Sequence, residues 1–130
     1  MSVVQEYYNI VWHEPNINKL SDIFHENIVF SFRALDEPQK NFTRTGKKSV
    51  MEWFNYWATI ADRLNTVIKT FNTSYDGARY ISLYNIIQKH DKIYGFHAEE
   101  TIKLTDGKIS EISLVRISKK LSLDIGNRYV

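Results

Sequence analysis

The residues best placed to do chemistry are Glu100 and the few tyrosines and arginines that the patterning of the chain can bring to it. Residues 93–104 alternate with a period of two. Tyr94, Phe96, Ala98, Ile102 and Leu104 share one face, and Gly95, His97, Glu99, Thr101 and Lys103 share the other. Glu100 breaks the pattern by lying on the apolar face. An ionised carboxylate is costly to bury alone, so that face must offer Glu100 a partner, water or a proton. Two chemistries follow. A guanidinium, from Arg116 or Arg33, would hold Glu100 ionised in a bidentate pair, as structure or as the anchor for a polar ligand. Without one, burial would keep Glu100 protonated. A neutral carboxylic acid beside the hydroxyl of Tyr7 or Tyr8 could then donate hydrogen bonds to a carbonyl or enolate oxygen. Both readings stay open in the sequence.

Several elements must position these groups. Residues 2–13 read as a helix, with Val4, Tyr7, Tyr8 and Val11 on one stripe. Pro15 ends it, and Asn16 or Asn18 can cap a short second helix through about His25, burying Leu20, Ile23 and Phe24. Residues 28–34 alternate as a strand, with Ile28, Phe30, Phe32 and Ala34 on one face. The polar stretch 35–45 reads as a loop long enough to cover or open a site. Residues 47–64 form the strongest helical pattern, from Val50 through Trp53, Phe54, Trp57, Ile60 and Ala61 to Leu64. Ser49-x-x-Glu52 matches a capping box, although Thr45 or Gly46 could equally begin the helix. Trp53 and Trp57 lie one turn apart, either covering a sheet or presenting an indole edge to a cavity.

Strands follow over 66–75, 78–89, 93–104 and 108–117. The first carries Val67, Phe71 and Tyr75 on one face. Asp76-Gly77, His90-Asp91-Lys92 and Asp106-Gly107 are the turns between them. The strand 78–89 is apolar on both faces, which predicts a second covering layer and homodimerisation through the sheet. Residues from Lys119 onward read as a fraying tail. Helices followed by segregated strands predict an α+β domain over 1–130, with a core of about 2–118 and a mostly antiparallel sheet.

Composition narrows the functions. The chain has 130 residues, 43% of them hydrophobic, enough for one core. The net charge of +2 comes without a dense basic run, so nucleic acid is not an expected partner. With no cysteine, disulfide and thiolate chemistry are excluded. No secretory signal or membrane span is evident, so a cytoplasmic protein without a membrane partner is expected. No phosphate loop and no converging metal ligands occur, so neither a cofactor nor a metal is expected.

The chain resembles the NTF2-like superfamily and, within it, the SnoaL-like group. The resemblance spans Tyr7 to Ile117. It rests on Asn16-Ile17-Asn18-Lys19-Leu20, on Ile23-Phe24-His25-Glu26-Asn27-Ile28-Val29-Phe30, on Gly46 opening the long helix, and on Leu104-Thr105-Asp106-Gly107-Lys108-Ile109. It implies a cone in which the helices pack on a curved sheet around a hydrophobic pocket. The implied lining is Tyr8 and Trp12 from the first helix, Phe30 and Phe32 from the first strand, and Trp53 and Trp57 from the long helix. Phe96, Leu114 and Arg116 complete it from the last hairpin.

This fold hosts isomerases, dehydratases, epoxide hydrolases, cyclases and binders. By resemblance to the ketosteroid isomerases, Tyr7 falls near their tyrosine and Glu100 near their protonated acid, so these two are the candidate catalytic pair. The position of their aspartate base falls at or beside Phe32. The aspartate of the cyclases and epoxide hydrolases falls near Leu114. The paired histidines of scytalone-dehydratase-like sites have no obvious counterpart. His90 lies in a turn, His25 ends a short helix, His97 points away from the cone, and His13 ends the first helix near the expected mouth.

Three functions remain open. One is a cofactor-free enzyme acting on a small, mostly apolar carbonyl compound. Another is a non-catalytic binder of such a molecule, and the third is a protein-interaction module working as a homodimer.

Overall fold

A computed structural model describes residues 2–61, 63–88 and 95–118. Helix α1 spans Val3–His13. Ser2 caps it: its hydroxyl accepts from the Gln5 N–H, and the Gln5 side chain accepts from the Ser2 N–H. The predicted stripe is buried, joined by Ile10 and Trp12. Asn16 then caps a 3-10 turn, Ile17–Asp22, through the Asn18 N–H. The expected second helix stops there and does not reach His25. Phe24 and His25 already belong to strand β1, Phe24–Ala34. The last strand captures the chain at this point: the Ile109 N–H donates to Ile23 at 2.8 Å, and Phe24 pairs with Ile109.

The stretch read as a loop is more ordered than its composition suggests. Pro38–Lys40 forms a 3-10 turn, and Phe42–Thr45 forms strand β2, antiparallel to β1. Four residues at a sheet edge carry too short an alternation to announce themselves. Helix α2, Lys47–Ile60, begins at Gly46, whose φ of 92° suits glycine. The Ser49-Glu52 capping box is not used. The Gly46 N–H instead donates to Ile28 at 2.7 Å and fixes the helix start to β1. The helix also ends before Leu64. Ile60 is 65% exposed, so the apolar spacing outruns the packed face.

Strands β3 (Thr66–Tyr75), β4 (Tyr80–Gln88), β5 (Gly95–Thr105) and β6 (Lys108–Ser118) complete the sheet. The strand order is β2-β1-β6-β5-β4-β3. Every pairing is antiparallel except β1 with β6, which is parallel. Asp106 and Gly107 both have positive φ, as a tight hairpin turn requires. At the β3–β4 turn, the Asp76 carboxylate accepts from the Ala78 and Arg79 N–H groups, which holds it below the usual carboxylate range.

Register shifts interrupt four places in the sheet, and such bulges bend it. The shift between Lys69 and Asn72 also breaks the single alternation expected for β3. Ile68 packs on the core, while the Phe71 ring meets Tyr8 and Tyr84. The Val67 side chain lies outside the described residues, as do the 90–92 turn and the tail from Lys119.

The result is α+β: α1 and α2 fill the inner face of a curved, mostly antiparallel sheet, as expected. The core runs from Leu20, Phe24 and Ile28 to Ile102, Ile109 and Ile112. Among the described residues, no helix is long and apolar enough to cross a membrane.

Candidate functional site

Alternation along β5 turns Ala98, Glu100 and Ile102 inward, and all three are buried. Glu100 is 2% exposed. Tyr7, on the buried stripe of α1, donates its hydroxyl to Glu100 Oε2 at 2.6 Å. Tyr84, on the inward face of β4, donates to Oε1 at 2.9 Å. Each carboxylate oxygen therefore accepts one phenol. Burial pushes the Glu100 pKa up, and the hydrogen bonds from the tyrosines oppose that shift. Burial raises both phenols as well, and the neighbouring carboxylate raises them further, so they keep their protons.

Tyr8 behaves differently. Its hydroxyl is buried and makes no hydrogen bond. Glu100 and Ser82 perturb its titration, but neither reaches it in a geometry that qualifies as a hydrogen bond. Burial, followed by the Glu100 charge, drives its pKa upward. Its ring packs edge-on against Tyr7 and Phe71.

Glu100, Tyr7 and Tyr84 line a cavity of about 200 Å³. Most of the predicted lining gathers there: Trp12, Phe30, Phe32, Trp53, Trp57, Leu114 and Arg116. Val11, Phe42, Phe54 and Tyr84 join them without having been singled out. Phe42 escaped notice with its strand. Only the β4–β5 register, which pairs Ser82 with Glu100 and Tyr84 with Ala98, puts the Tyr84 hydroxyl within reach.

The aromatic walls support one another. Trp53 stacks on Phe30 at 4.8 Å and on Trp57 at 6.0 Å, and Trp12 meets Trp57 edge-on at 5.4 Å. Tyr8 lies elsewhere, in the wall of a larger open groove of about 700 Å³ between α1 and the β3–β4 hairpin. That groove is lined by Val4, Ile68, Phe71, Tyr80 and polar α1 residues, and unlike the smaller cavity it has no buried ionisable group such as Glu100 in its wall. The Phe96 side chain lies outside the described residues.

Arg116 is 7% exposed and does not pair with Glu100. It reaches the other way: Nη2 lies 2.7 Å from Glu37 Oε1 and 3.2 Å from Asp36 Oδ1, and Nε donates to the same Asp36 oxygen. Its guanidinium sits 5.8 Å from the centroid of the Phe32 ring. Arg33 is exposed. The arginine-paired reading of Glu100 therefore fails, because the acidic turn after β1 takes the guanidinium first. Phe32 and Leu114, where a base would fall by family resemblance, are cross-strand partners in the cavity wall.

Among the described residues, no histidine lines the cavity. His13 is exposed, and the His25 ring accepts from the Asn27 N–H. His97 pairs with Asn85, and His90 lies outside the described residues. Among the described residues, no group of three or more His, Cys, Asp or Glu could hold a metal.

The sequence matches no protein-family model and no curated protein. In three dimensions the chain is similar to a candidate ketosteroid isomerase from Kribbella flavida, with a TM-score of 0.68 at 10% identity over 89% of this chain and 76% of that one. It is also similar to a candidate polyketide cyclase from Sinorhizobium meliloti, with a TM-score of 0.67 at 13% identity over 86% and 92%. An NTF2-like protein of unknown function from Mesorhizobium loti gives 0.66 at 17% identity over 89% and 88%. At such identities the likeness carries the fold and not the chemistry. With its helices seated on a bent sheet that β1 and β6 join in parallel, this chain has the NTF2-like fold.

Proposed function

We propose that this protein binds a small, mostly apolar molecule in the cavity beneath α2, with Glu100 and Tyr7 as its polar anchor. The observation that carries this reading is the environment of Glu100. It is a buried carboxylate met by two phenols and no cation among the described residues, and it opens onto an aromatic cavity. A purely structural carboxylate would be enclosed by its partners and would not face space a ligand can use. The titratable groups in the wall are Glu100, Tyr7, Tyr84 and Arg116, and Arg116 is committed to Asp36 and Glu37. With Phe32 and Leu114 apolar, acid–base turnover would rest on Glu100 alone, so binding without turnover is the leading reading.

Titrating the tryptophan fluorescence with indole and phenol tests it. Saturable binding is expected, and Leu114→Trp, which fills the cavity, should abolish it. Binding that survives the filled cavity, or no saturable binding at all, would overturn the reading.

A second reading concerns self-association. Leu83 is 41% exposed on the outward face of β4, beside half-buried Ile81. That supports a homodimer through the sheet, which light scattering tests. A monomer mass at micromolar concentration would remove it.

A further inference from the structure

The polar end of the cavity is furnished with acceptors. Tyr7 and Tyr84 both direct their O–H groups at Glu100, one to each oxygen, so neither phenol presents its proton to a ligand. What remains towards the cavity is the set of unused lone pairs on the carboxylate and the two phenol oxygens. Arg116, the one cation in the wall among the described residues, is already matched by two carboxylates, Asp36 and Glu37. Glu37 also pairs with Lys40 at 3.1 Å, so Arg116 and Lys40 together balance Asp36 and Glu37, and Glu100 has no cation partner among the described residues.

Apart from Val11 and Leu114, the remaining walls are indole and phenyl rings, whose faces attract cations, indole most strongly. Phe32 already carries a guanidinium against its ring. The volume of about 200 Å³ exceeds the roughly 150 Å³ that holds a benzene and falls short of the roughly 300 Å³ where drug-sized pockets begin.

We propose that the cavity takes a small organic cation, a single ring or short aliphatic body bearing an ammonium group, with its charged nitrogen against Glu100. This rests on the binding reading above and names its ligand class. The ligand supplies the positive charge that the fold withholds from Glu100. If Glu100 carries a proton in the free protein, a quaternary ammonium releases that proton to solvent on binding. A neutral amine would instead take the proton itself. Either route ends in the same ion pair. The groups around Glu100 are Tyr7 and Tyr8 from α1 and Tyr84 from β4, with Arg116 in the cavity wall on β6 and Asp36, Glu37 and Lys40 behind it.

Isothermal titration of one isosteric series decides it: 2-phenylethylamine, 2-phenylethanol and 3-phenylpropanoate, with phenyltrimethylammonium as a permanent cation. The amine should bind at least tenfold more tightly than the alcohol, the carboxylate should not bind, and Glu100→Gln should erase the preference. An alcohol that binds as tightly as the amine overturns the cation proposal and leaves the cavity reading standing. No binding by any member overturns both. The wild-type ranking decides the matter even where Glu100→Gln fails to fold.

Discussion

Arg63 and Glu100 are two buried ionisable groups, 5% and 2% exposed, neither in an ion pair among the described residues. Arg63 follows α2 and turns back onto the end of α1. Its guanidinium donates to the carbonyls of Ile10, Val11 and Pro15 at 3.1, 3.0 and 2.7 Å. The Ile10 and Val11 carbonyls are among those that a helix leaves unpaired at its C-terminus, where the helix dipole also favours a cation, and Pro15 lies just beyond that end. Burial lowers the Arg63 pKa, and Glu14 opposes the shift. Glu100 has two side-chain donors and a cavity beside it. A charge satisfied by fixed backbone atoms in a filled space is structural, whereas one left with unused lone pairs beside an opening can serve a ligand.

The strongest way to break this comparison is to remove Arg63. Arg63→Ala strands three carbonyl oxygens, each worth about 1–3 kcal/mol if left buried and unpaired. Partial rehydration of the helix end reduces the sum, so the expected loss is about 3 kcal/mol, read from urea unfolding. Probe affinity per folded molecule should not change. A variant that unfolds normally but loses binding would make Arg63 part of the site.

Tyr7→Phe comes next. It removes the shorter of the two hydrogen bonds to Glu100, of a class worth about 1.5–3 kcal/mol when the acceptor is charged. An expected loss of about 2 kcal/mol should shrink at low pH, where Glu100 is neutral. A loss independent of pH would mean that Glu100 is never ionised in the fold.

Glu100→Gln should be neutral or stabilising by about 1 kcal/mol near neutral pH, because it removes the cost of a buried negative charge. The sign of its pH dependence follows from the raised pKa. The unfolded chain gives up this proton near the ordinary value of 4.5, before the folded protein does. Stability from Glu100 is therefore full below that pH and is lost as pH rises through the folded value. The advantage of wild type over the variant should shrink above pH 4.5 in unfolding midpoints measured across pH. An advantage that grows with pH would show the phenols holding Glu100 ionised.

The smallest effect belongs to Tyr8→Phe, which deletes a buried hydroxyl that makes no hydrogen bond. A change within about 0.5 kcal/mol is expected in the same unfolding assay, since no partner is lost. A cost matching that of Tyr7→Phe would reveal a bridging water.

The two charges also differ in how far the sequence discloses them. Glu100 is visible because it violates a period-two pattern whose other members are apolar, and violations mark positions that packing alone does not explain. Tyr7 is visible on a helical stripe. Arg63 is not: in Ala61-Asp62-Arg63-Leu64-Asn65 it reads as any surface arginine, and its role depends on where α1 ends in space. Alternation puts Arg116 on the same face as Leu114, but its partners Asp36 and Glu37 come from a turn whose path is set by tertiary contacts. Local periodicity specifies faces, and only register and turns specify which groups on those faces meet.

The parallel join between β1 and β6 also has a consequence in time. Asp36 and Arg116 lie 80 residues apart, yet they close one corner of the cavity. A ribosome releases the aromatic helix well before the strand that completes its enclosure. Closing so long a loop is entropically slow, and non-local sheet pairing is among the slower folding steps. Through that interval Phe30, Phe42 and Trp53 face no β6 wall, so a nascent chain carries exposed aromatic surface. Such intermediates aggregate or engage chaperones. Yield in a cell should therefore depend on translation speed and chaperone supply even where the finished protein is stable.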